Sequence, residues 1–305
     1  MRILSFGSMN IDHSYIVARI ARPGETVAAA DYAVRCGGKG FNQSLALSLA
    51  GAEVYHAGCV GKDGAFLIDR LNKAGVNTDN VYVSPEQATG HAIIQVEAES
   101  GQNCIVIYHG ANWVITGKMI SDTIRRFDAG DCIVLQNEIN SVGEIMQTAH
   151  ERGLITVLNP SPVTDEICSG RVKRNTDWLV LNEEEGLALS GSHNPEEICR
   201  QLHETYCGSK IVLTLGKDGS ICYDGSKFIA QPAFRSTVVD TTGAGDTFTG
   251  FFIAGISQSI DAATAIRRAS AAAAVSIGRP GASESIPTAS EVDAFLTNAC
   301  ELQQQ

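Results

Sequence analysis

The chain has 305 residues, of which 44% are hydrophobic, and its formal net charge is −11. This length can bury a large core in one α/β domain or two medium ones, and the acidic balance argues against non-specific binding to nucleic acid, which needs basic patches. No apolar run approaches the roughly 20 residues of a membrane span, and residues 1–7 are too short for a signal peptide, so we expect neither a nucleic acid nor a membrane as a partner.

The nine cysteines are scattered along the chain without a C-x-x-C pair. Several lie in apolar runs, among them Cys104, Cys132 and Cys222. The odd number of cysteines and their apolar surroundings predict buried free thiols and a reducing, cytoplasmic location. Cys36 precedes a glycine-rich segment, and we interpret it as a small buried apolar residue.

The first third of the chain predicts strands around one glycine-rich helix start. "RILSFGSMNID" is a short strand that ends in polar residues, where α/β sheets bind ligands. Residues 13–35 predict a small β excursion with a turn at "RPGET". "GGKGFNQSLALSLAGA" predicts a glycine-rich loop that opens a helix. A strand "VYHAGCVG", a helix "AFLIDRLNKAG" and a hairpin of "GHAIIQVEAES" with "NCIVIYHGAN" follow.

From about Thr116 the pattern alternates between strands and helices. The strands are "CIVLQNE", "LITVLNP", "WLVLNEEE" and "KIVLTLGKDG", and the helices are "GKMISDTIRRF", "VGEIMQTAHERG", "EEEGLALS" and "PEEICRQLHETYC". Short apolar strands separated by helices are typical of a parallel sheet covered on both faces. Three more helices are predicted over 245–257, 262–277 and 287–299. The sequence therefore predicts an α/β fold with a mostly parallel central sheet flanked by helices, as a single domain over residues 1–305.

Polar residues recur where the predicted strands end. In a parallel sheet those ends share one edge, and carboxylates and amides there suit the hydroxyl groups of a sugar. A single Asn or Asp at such a place is more often a cap or turn residue, but the recurrence favours a binding crevice. The residues are Asn10, Asp12, Gln136–Glu138, Asn159, Asn182, Glu185 and Thr214–Gly219.

"VDTTGAGDTFTGFF" carries the most specific chemistry. Gly243, Ala244 and Gly245 can present backbone N–H groups at a helix start, which is a general anion site. Asp246 in the first turn is either a carboxylate that complements the helix dipole or a general base beside a phosphate cradle. The chain has neither a Walker A motif nor a G-x-G-x-x-G fingerprint, which excludes a P-loop enzyme and argues against a dinucleotide-dependent oxidoreductase.

Six motifs in order resemble the ribokinase (PfkB) family of carbohydrate kinases, over nearly the whole chain. "VVDTTGAGDTFTGFFIAG" is similar to the C-terminal signature, and "CGGKGFNQSLALSLAGAEVYHAGCVGKDGAFLIDRLNKAGV" to the N-terminal one. "GSMNIDHSY", "LNPSP", "LNEEE" and "TLGKDG" match between and around them. Within the family, G-S-x-N-x-D together with G-G-K-G-x-N is closest to the ribose-phosphorylating members.

The resemblance implies the roles of the catalytic and sugar-binding residues. Asp246 is the base that deprotonates the primary hydroxyl, and Gly243, Ala244 and Gly245 form the anion hole for the transferred phosphoryl group. The residues implied to hold the sugar are Asn10, Asp12, Gly38, Lys39, Asn42 and Glu138. For Lys39, between glycines on a predicted loop, a compact ammonium also suits a sugar or phosphate oxygen on physical grounds.

The resemblance also implies ATP as phosphoryl donor, with Mg²⁺ and an activating K⁺. Asn182 and Glu185 form the N-x-x-E motif that organises Mg²⁺ and phosphate through water. The residues implied to lie along the ATP are Thr214, Gly216 and Gly219. The residues implied to bind the monovalent cation are Asp240, Thr242, Ser276, Gly281 and Ser285.

The activity implied is ATP-dependent phosphorylation of D-ribose to D-ribose 5-phosphate. The β segments at about 13–36 and 89–110 would form a lid over the sugar and a homodimer interface. The alternatives are a kinase of the same fold for deoxyribose, a ketose or a nucleoside, and a non-catalytic sugar sensor, for which Asp246 would be unnecessary.

Two departures from the family pattern stand out. Phe41 replaces the usual alanine after G-G-K-G and could redirect the contact between helix and sugar, and Pro280 could shift the cation loop. His109 and Asn112 carry no assigned role, and we interpret His109 as a structural or surface histidine.

Overall fold

The alternation of short apolar strands with helices produces a nine-stranded sheet. In the computed structural model, which describes residues 1–302 and side chains as far as residue 299, the strand order is β13-β12-β11-β10-β9-β8-β1-β4-β5. The seven strands from β11 across to β5 in this order pair in parallel with their neighbours. Strands β12 and β13 form an antiparallel hairpin at one edge. The strands are β1 (Ile3–Phe6), β4 (Val54–Gly61), β5 (Asn77–Ser84), β8 (Cys132–Gln136), β9 (Ile155–Asn159), β10 (Trp178–Asn182), β11 (Lys210–Thr214), β12 (Ser220–Tyr223) and β13 (Phe228–Gln231). The predicted mostly parallel sheet is confirmed.

Helices cover both faces of this sheet because alternate strand residues point to opposite sides. Ile3 joins one buried cluster, beneath helices that include α1 and α8, and its neighbour Leu4 joins the other, beneath helices that include α4 and α7. The helices are α1 (Lys39–Leu49), α2 (Ala65–Lys73), α3 (Gly117–Ile124), α4 (Val142–Glu151), α5 (Gly170–Arg174), α6 (Glu183–Ser190), α7 (Pro195–Thr205), α8 (Ala244–Ser257), α9 (Ala262–Ser276) and α10 (Ala289–Leu302). Among residues 1–302, no helix combines the length and apolar character that a bilayer crossing requires.

A second, four-stranded sheet stands at the end of β1. Its order is β3 (Ala29–Gly37), β2 (Asn10–Val17), β6 (Gly90–Glu97) and β7 (Asn103–Tyr108). These strands come largely from the two segments predicted to form a lid, and their role as a lid stays a prediction. Asn10 pairs with both Gly37 and Gly90, so three strands of the small sheet converge beside the end of β1.

Helices α1 and α8 approach each other closely, although about two hundred residues separate them in sequence. Gly250 on α8 faces Ala46 on α1, and a side chain at position 250 would overlap the Ala46 methyl group. One helical turn earlier on each helix lie Asp246 and Asn42. The close packing at Gly250 therefore brings the two signature segments of the chain together.

Three details differ from the sequence-based predictions. Strand β5 and the hairpin β12–β13 were not predicted. Lys39 is not on a loop but is the first residue of α1, which Gly38 caps with a φ of 91°. The prediction of buried thiols is wrong for Cys104, Cys168 and Cys207, which are exposed and free, and Cys300 lies outside the residues whose side chains are described.

Candidate active site

A cleft opens at the carboxyl ends of the parallel strands, where α1, α6 and α8 begin. Its cavity of about 180 Å³ contains the predicted base, the predicted sugar lysine and part of the predicted nucleotide set. The lining residues are Lys39, Asn159, Val180, Leu181, Asn182, Glu185, Thr214, Gly243, Gly245, Asp246 and Thr249. Signature segments from both ends of the chain thus meet at one edge of the sheet, as parallel topology requires.

Asp246 lies in the first turn of α8 and is buried, with 6% of its surface exposed. Asn42 Nδ2 donates to Asp246 Oδ2 over 3.0 Å, and Gln43 Nε2 donates to Asp246 Oδ1 over 2.9 Å. Both donors come from α1, so each carboxylate oxygen is held by one side-chain amide. A helix start needs no such pair of buried donors, and this arrangement favours the general-base interpretation of Asp246 over a simple dipole effect.

The glycines before Asp246, which were predicted to form an anion hole, lie at the start of α8. Gly243 caps the helix in the left-handed region, with a φ of 75°, which favours glycine. Ala244 N donates to Thr241 O, but among the described residues the amides of Gly243 and Gly245 donate to no protein acceptor. Two free N–H groups and the positive end of a 14-residue helix suit an incoming phosphate. Of the three amides predicted to form the anion hole, those of Gly243 and Gly245 are free of protein acceptors among the described residues, and their binding of an anion stays a prediction.

Glu138 connects the end of β8 to α1. Its Oε2 accepts from Ser8 Oγ at 2.5 Å and from Lys39 N at 2.9 Å, and the side chain is buried. The second carboxylate oxygen of Glu138 is not used by these bonds. The predicted sugar residues Glu138, Lys39 and Gly38 are therefore contiguous in space.

Asn10 and Asp12 extend from β2 on the same face of the small sheet. Asn10 Oδ1 accepts from Asn112 Nδ2 at 2.7 Å, which orients the Asn10 amide. The Asp12 carboxylate packs on Gly37, where any side chain would overlap it. Burial first, and then the charges of Glu138 and Glu284, raise the pKa of Asp12 to about 7. Hydroxyl groups that donate hydrogen bonds to the Asp12 carboxylate would stabilise its ionised form.

The ammonium of Lys39 lies within a ring of carboxylates. Burial lowers the pKa of Lys39, but the charges of Asp246, Glu138 and Glu185 more than compensate, and the pKa is raised overall. Lys39 is therefore a permanent positive charge in a cleft that is otherwise acidic. A cation there attracts the phosphate chain of a nucleotide.

Asn182 and Glu185 form a capping box at the start of α6. Asn182 Oδ1 accepts from Glu185 N at 2.8 Å, and Glu185 Oε2 accepts from Asn182 N at 3.1 Å. The N-x-x-E motif thus has a structural role of its own, while both residues also line the cavity. Thr214 lines the cavity as well, and Gly216 and Gly219 lie just beyond it with positive φ angles, in the turn between β11 and β12.

The predicted cation loops meet at Asp240. Its Oδ1 accepts from Thr242 N and Thr242 Oγ1, and its Oδ2 accepts from Gly281 N at 2.9 Å. Burial opposes a low pKa for Asp240, but these hydrogen bonds and the charge of Arg35 lower it overall. The hydroxyls of Ser276 and Ser285 donate to carbonyls of their own turns, so the structure joins Asp240, Thr242 and Gly281 and does not join the two serines to them by hydrogen bonds.

Gln43, Ser8 and Asn112 contact the predicted site residues although their roles were not recognised in the sequence. Gln43 lies beside Asn42 in "GGKGFNQS", and its position next to a predicted ligand was the only available signal. Asn112 lies next to Asn10, one of the residues predicted to hold the sugar. Asn42 Oδ1 is buried without a partner among the described residues.

Phe41 and His109 are away from the reacting groups. Phe41 is fully buried in the core cluster under α1, so its bulk fills the core rather than redirecting the cleft. The His109 ring stacks on Trp113 with 4.3 Å between centroids, in agreement with the structural interpretation.

Comparison with known proteins gives a consistent family assignment. The model of the pfkB family carbohydrate kinases matches residues 1–289. A ribokinase of Haemophilus influenzae is 33% identical over 301 residues, which cover 96% of this chain and 97% of the relative. A deoxyribokinase of Salmonella typhimurium is 30% identical over 306 residues, with coverages of 97% and 99%.

Solved structures agree with this assignment. The structure of Arabidopsis thaliana ribokinase complexed with ribose and ATP has a TM-score of 0.85 to this chain at 28% identity, covering 97% of this chain and 98% of that one. Together with the family match, the geometry of the cleft leads to one conclusion: the chain belongs to the PfkB family of carbohydrate kinases.

Proposed function

We propose that the protein phosphorylates D-ribose on its primary hydroxyl, with ATP as donor, to give D-ribose 5-phosphate and ADP. One observation carries this proposal: the buried Asp246 carboxylate, held by two side-chain amides, lies directly beside free backbone amides at the start of α8. A proton acceptor next to an anion site is the arrangement that phosphoryl transfer to an alcohol needs. The ribokinase relatives support ribose as the acceptor.

The sugar is proposed to bind between the two sheets. Asn10 and Asp12 from β2, together with Glu138 after β8, offer amide and carboxylate groups to the hydroxyls of the pentose ring. Asn42 Oδ1, which has no protein partner among the described residues, accepts from one further hydroxyl. Gly38 lets the start of α1 lie against β2, because a Cβ there would come within 3.0 Å of Asn10 N.

In the proposed reaction, Asp246 takes the proton of the sugar's primary hydroxyl. The hydroxyl oxygen forms a bond to the γ-phosphorus of ATP as the bond between that phosphorus and the β–γ bridging oxygen breaks, and ADP leaves. The free amides of Gly243 and Gly245 stabilise the negative charge on the transferred group. Lys39 supplies a fixed positive charge beside the same group, and the segment from Thr214 through Gly216 to Gly219 lies along the nucleotide.

Magnesium and a monovalent cation fit this site in different ways. Within residues 1–299 no group of three or more His, Cys, Asp or Glu side chains could hold a metal, so Mg²⁺ fits as an ion carried by the ATP phosphates and reached by Asn182 and Glu185 through water. Bound there, Mg²⁺ would neutralise phosphate charge. Asp240, with the carbonyls of the two loops it joins, supplies oxygen donors of the kind that K⁺ prefers.

The second sheet is proposed to act as a lid and as the interface of a homodimer. Strand alternation places five exposed apolar side chains on the face opposite Asp12, and a patch of this kind marks an interaction surface. A second copy of the same sheet offers a matching apolar face under two-fold symmetry. The five side chains are Tyr32, Val34, Ile93, Val106 and Tyr108. The reaction is placed in the cytoplasm, where free thiols persist.

The test is sugar-dependent turnover of ATP. We expect the wild-type protein to produce ADP only when a pentose is added, with ribose preferred over 2-deoxyribose, and with K⁺ more effective than Na⁺. The Asp246→Asn variant should lose at least ~100-fold in kcat, the usual range for removal of a positioned base. The Asp31→Asn variant, which changes an exposed carboxylate on β3, should keep full activity.

Other outcomes discriminate between the alternatives. Turnover with 2-deoxyribose, a ketose or a nucleoside in preference to ribose would show that the protein is a kinase of the same family for that other substrate. Sugar binding without any turnover would indicate a sensor. Full activity of Asp246→Asn would overturn the role of the base.

A further inference from the structure

A chain of three buried amides leads from the central sheet to Asp246. Gln43 and Gln136 are fully buried, and Asn159 is 9% exposed. Gln136 Nε2 donates to Gln43 Oε1 at 2.6 Å, and Gln43 Nε2 donates both to Asn159 Oδ1 at 3.1 Å and to Asp246 Oδ1 at 2.9 Å. Gln136 ends β8 and Asn159 ends β9, so two neighbouring strands orient one glutamine of α1.

The direction of these bonds is fixed by the backbone. Asn159 Nδ2 donates to Val180 O at 2.9 Å, which forces Asn159 Oδ1 toward Gln43. Gln43 must then present its NH₂ group to Asn159, and its oxygen must face the donor of Gln136. Both hydrogens of the Gln43 amide are therefore assigned, one to Asn159 and one to the carboxylate of Asp246.

Gln136 supports this direction, although the oxygen of its own amide lacks a hydrogen bond. Its Oε1 has no partner among the described residues, and it lies against Gly7, where any side chain would overlap it. An unpartnered buried oxygen is unfavourable because it loses its hydrogen bonds to water without replacement. The fold keeps that oxygen unpaired, whereas the Nε2 of the same amide is bonded to Gln43.

We propose that Gln43, oriented by Gln136 and Asn159, is a positioning residue that holds the Asp246 carboxylate with one oxygen turned toward the sugar hydroxyl. The inference rests on the proposed role of Asp246 as base. Asn42 donates to Oδ2, while Gln43, which is bonded to the residues that end β8 and β9, donates to Oδ1. With Oδ1 tied to the sheet, the lone pair of Oδ2 that Asn42 does not use can accept from the substrate, and small errors in such geometry reduce rates strongly.

The first test replaces Gln43 with an apolar side chain of similar length. Gln43→Met should lower kcat at least tenfold, with the KM for ribose changed less than threefold, because Gln43 orients the base without contacting the sugar. Gln136→Met should lower kcat less. The double variant should be no slower than Gln43→Met, because the two residues act through one hydrogen-bond chain; independent, multiplying losses would contradict the proposal.

A matched control separates positioning from packing. Ser44 follows Gln43 on α1, is fully buried, and bonds His56 Nδ1 at 2.7 Å instead of the base. Ser44→Ala should lower the melting temperature but keep kcat within twofold. If Ser44→Ala and Gln43→Met lose kcat equally, the effect is one of packing and the proposal is wrong.

A second variant tests the positioning role of Gln43 if Gln43→Met does not fold. Gln43→Glu keeps the shape of the side chain but places a carboxyl against Asp246, and only its protonated form can donate a hydrogen bond. Since a nearby like charge raises the pKa of a carboxyl, kcat of this variant should recover relative to wild type as the pH is lowered toward 5. An unchanged pH profile with full kcat would overturn the proposal. Absence of sugar-dependent turnover in the wild-type protein would instead count against the proposed function itself.

Discussion

Asp12, which is proposed to bind the sugar, destabilises the ligand-free protein at neutral pH. Burial and the charges of Glu138 and Glu284 raise its pKa to about 7. Between pH 4 and 7 the folded protein keeps a proton on Asp12 that the unfolded chain has lost, so the free energy of unfolding falls as the pH rises through this range. Above pH 7 the carboxylate is ionised in both states, and its full destabilising effect is present.

Asp12→Asn should therefore stabilise the ligand-free protein at neutral pH. We expect a gain of up to about 4 kcal/mol in the free energy of unfolding at pH 8 and almost none at pH 4, since the substitution removes the buried charge whose pKa is raised from 3.8 to about 7. Urea unfolding at both pH values measures the difference. The KM for ribose should rise in the same variant. An equal gain at both pH values would show that charge is not the cause, and Asp31→Asn on exposed β3 provides the control.

Single positions of the cleft could be predicted from the sequence to different extents. Asp246 and Lys39 belong to recognisable motifs and both line the cleft, and Glu138, which follows a predicted strand, accepts from Lys39 N. Gln43 could not be assigned, because its partner Asp246 is 203 positions away and nothing local distinguishes it from other polar helix residues. Contacts of this kind depend on the packing of helices that the sequence pattern alone does not specify.

At the scale of elements, the site depends on the distance between α1 and α8. The absence of a side chain at Gly250 allows α8 to contact Ala46 directly. The hydrogen bonds from Asn42 and Gln43 to Asp246 lie one turn away and need this close approach. Helix packing, rather than loop conformation, therefore sets the position of the base.

Gly250→Ala should separate the two helices and weaken catalysis. Overpacking of this kind costs about 1–3 kcal/mol, part of which the better helix propensity of alanine offsets. We expect kcat to fall about tenfold or more because the base moves relative to its donors, as measured by steady-state kinetics and thermal unfolding.

Gly255→Ala is the matched control on the same helix. A methyl group there would lie 3.1 Å from the Ala265 side chain of α9, away from the cleft. This variant should lose stability and keep kcat. A similar loss of kcat in both variants would contradict the role of the contact between α1 and α8.

The elements themselves were largely predictable, with instructive exceptions. Long helices and buried parallel strands follow from periodicity. The hairpin β12–β13 was missed although Asp224-Gly225 between two apolar runs is a strong hairpin signal. Strand β5 was missed because "NTDNVYVS" is mostly polar and partly exposed at the edge of the sheet.

At the scale of the whole molecule, the small sheet has two unlike faces. One face carries Asn10 and Asp12, with the exposed Ile105 and Ile107 on its β7 edge, and the other carries a larger set of exposed apolar side chains, of which Val106 is 60% exposed. A monomer would leave this second face in water. Pairing of two copies through it would cover the apolar patch and tie lid movement in one copy to the other.

Val106→Glu should therefore convert a dimer into a monomer. A charge in the centre of an apolar interface is unfavourable unless paired, and analytical ultracentrifugation at micromolar concentration measures the change. Val83→Glu, the same substitution at an exposed valine of β5 outside the lid, should leave the dimer intact. A wild-type protein that sediments as a monomer would refute the proposed dimer.

The contact between α1 and α8 also affects the order in which the chain becomes competent during synthesis. A ribosome that has translated as far as β11 has already produced Asn10, Asp12, Glu138 and the amides of α1. The carboxylate that the amides of Asn42 and Gln43 hold, and the free amides beside it, arrive only with residues 243–246. Under the proposed mechanism, a chain that ends before residue 243 would have no means of consuming ATP.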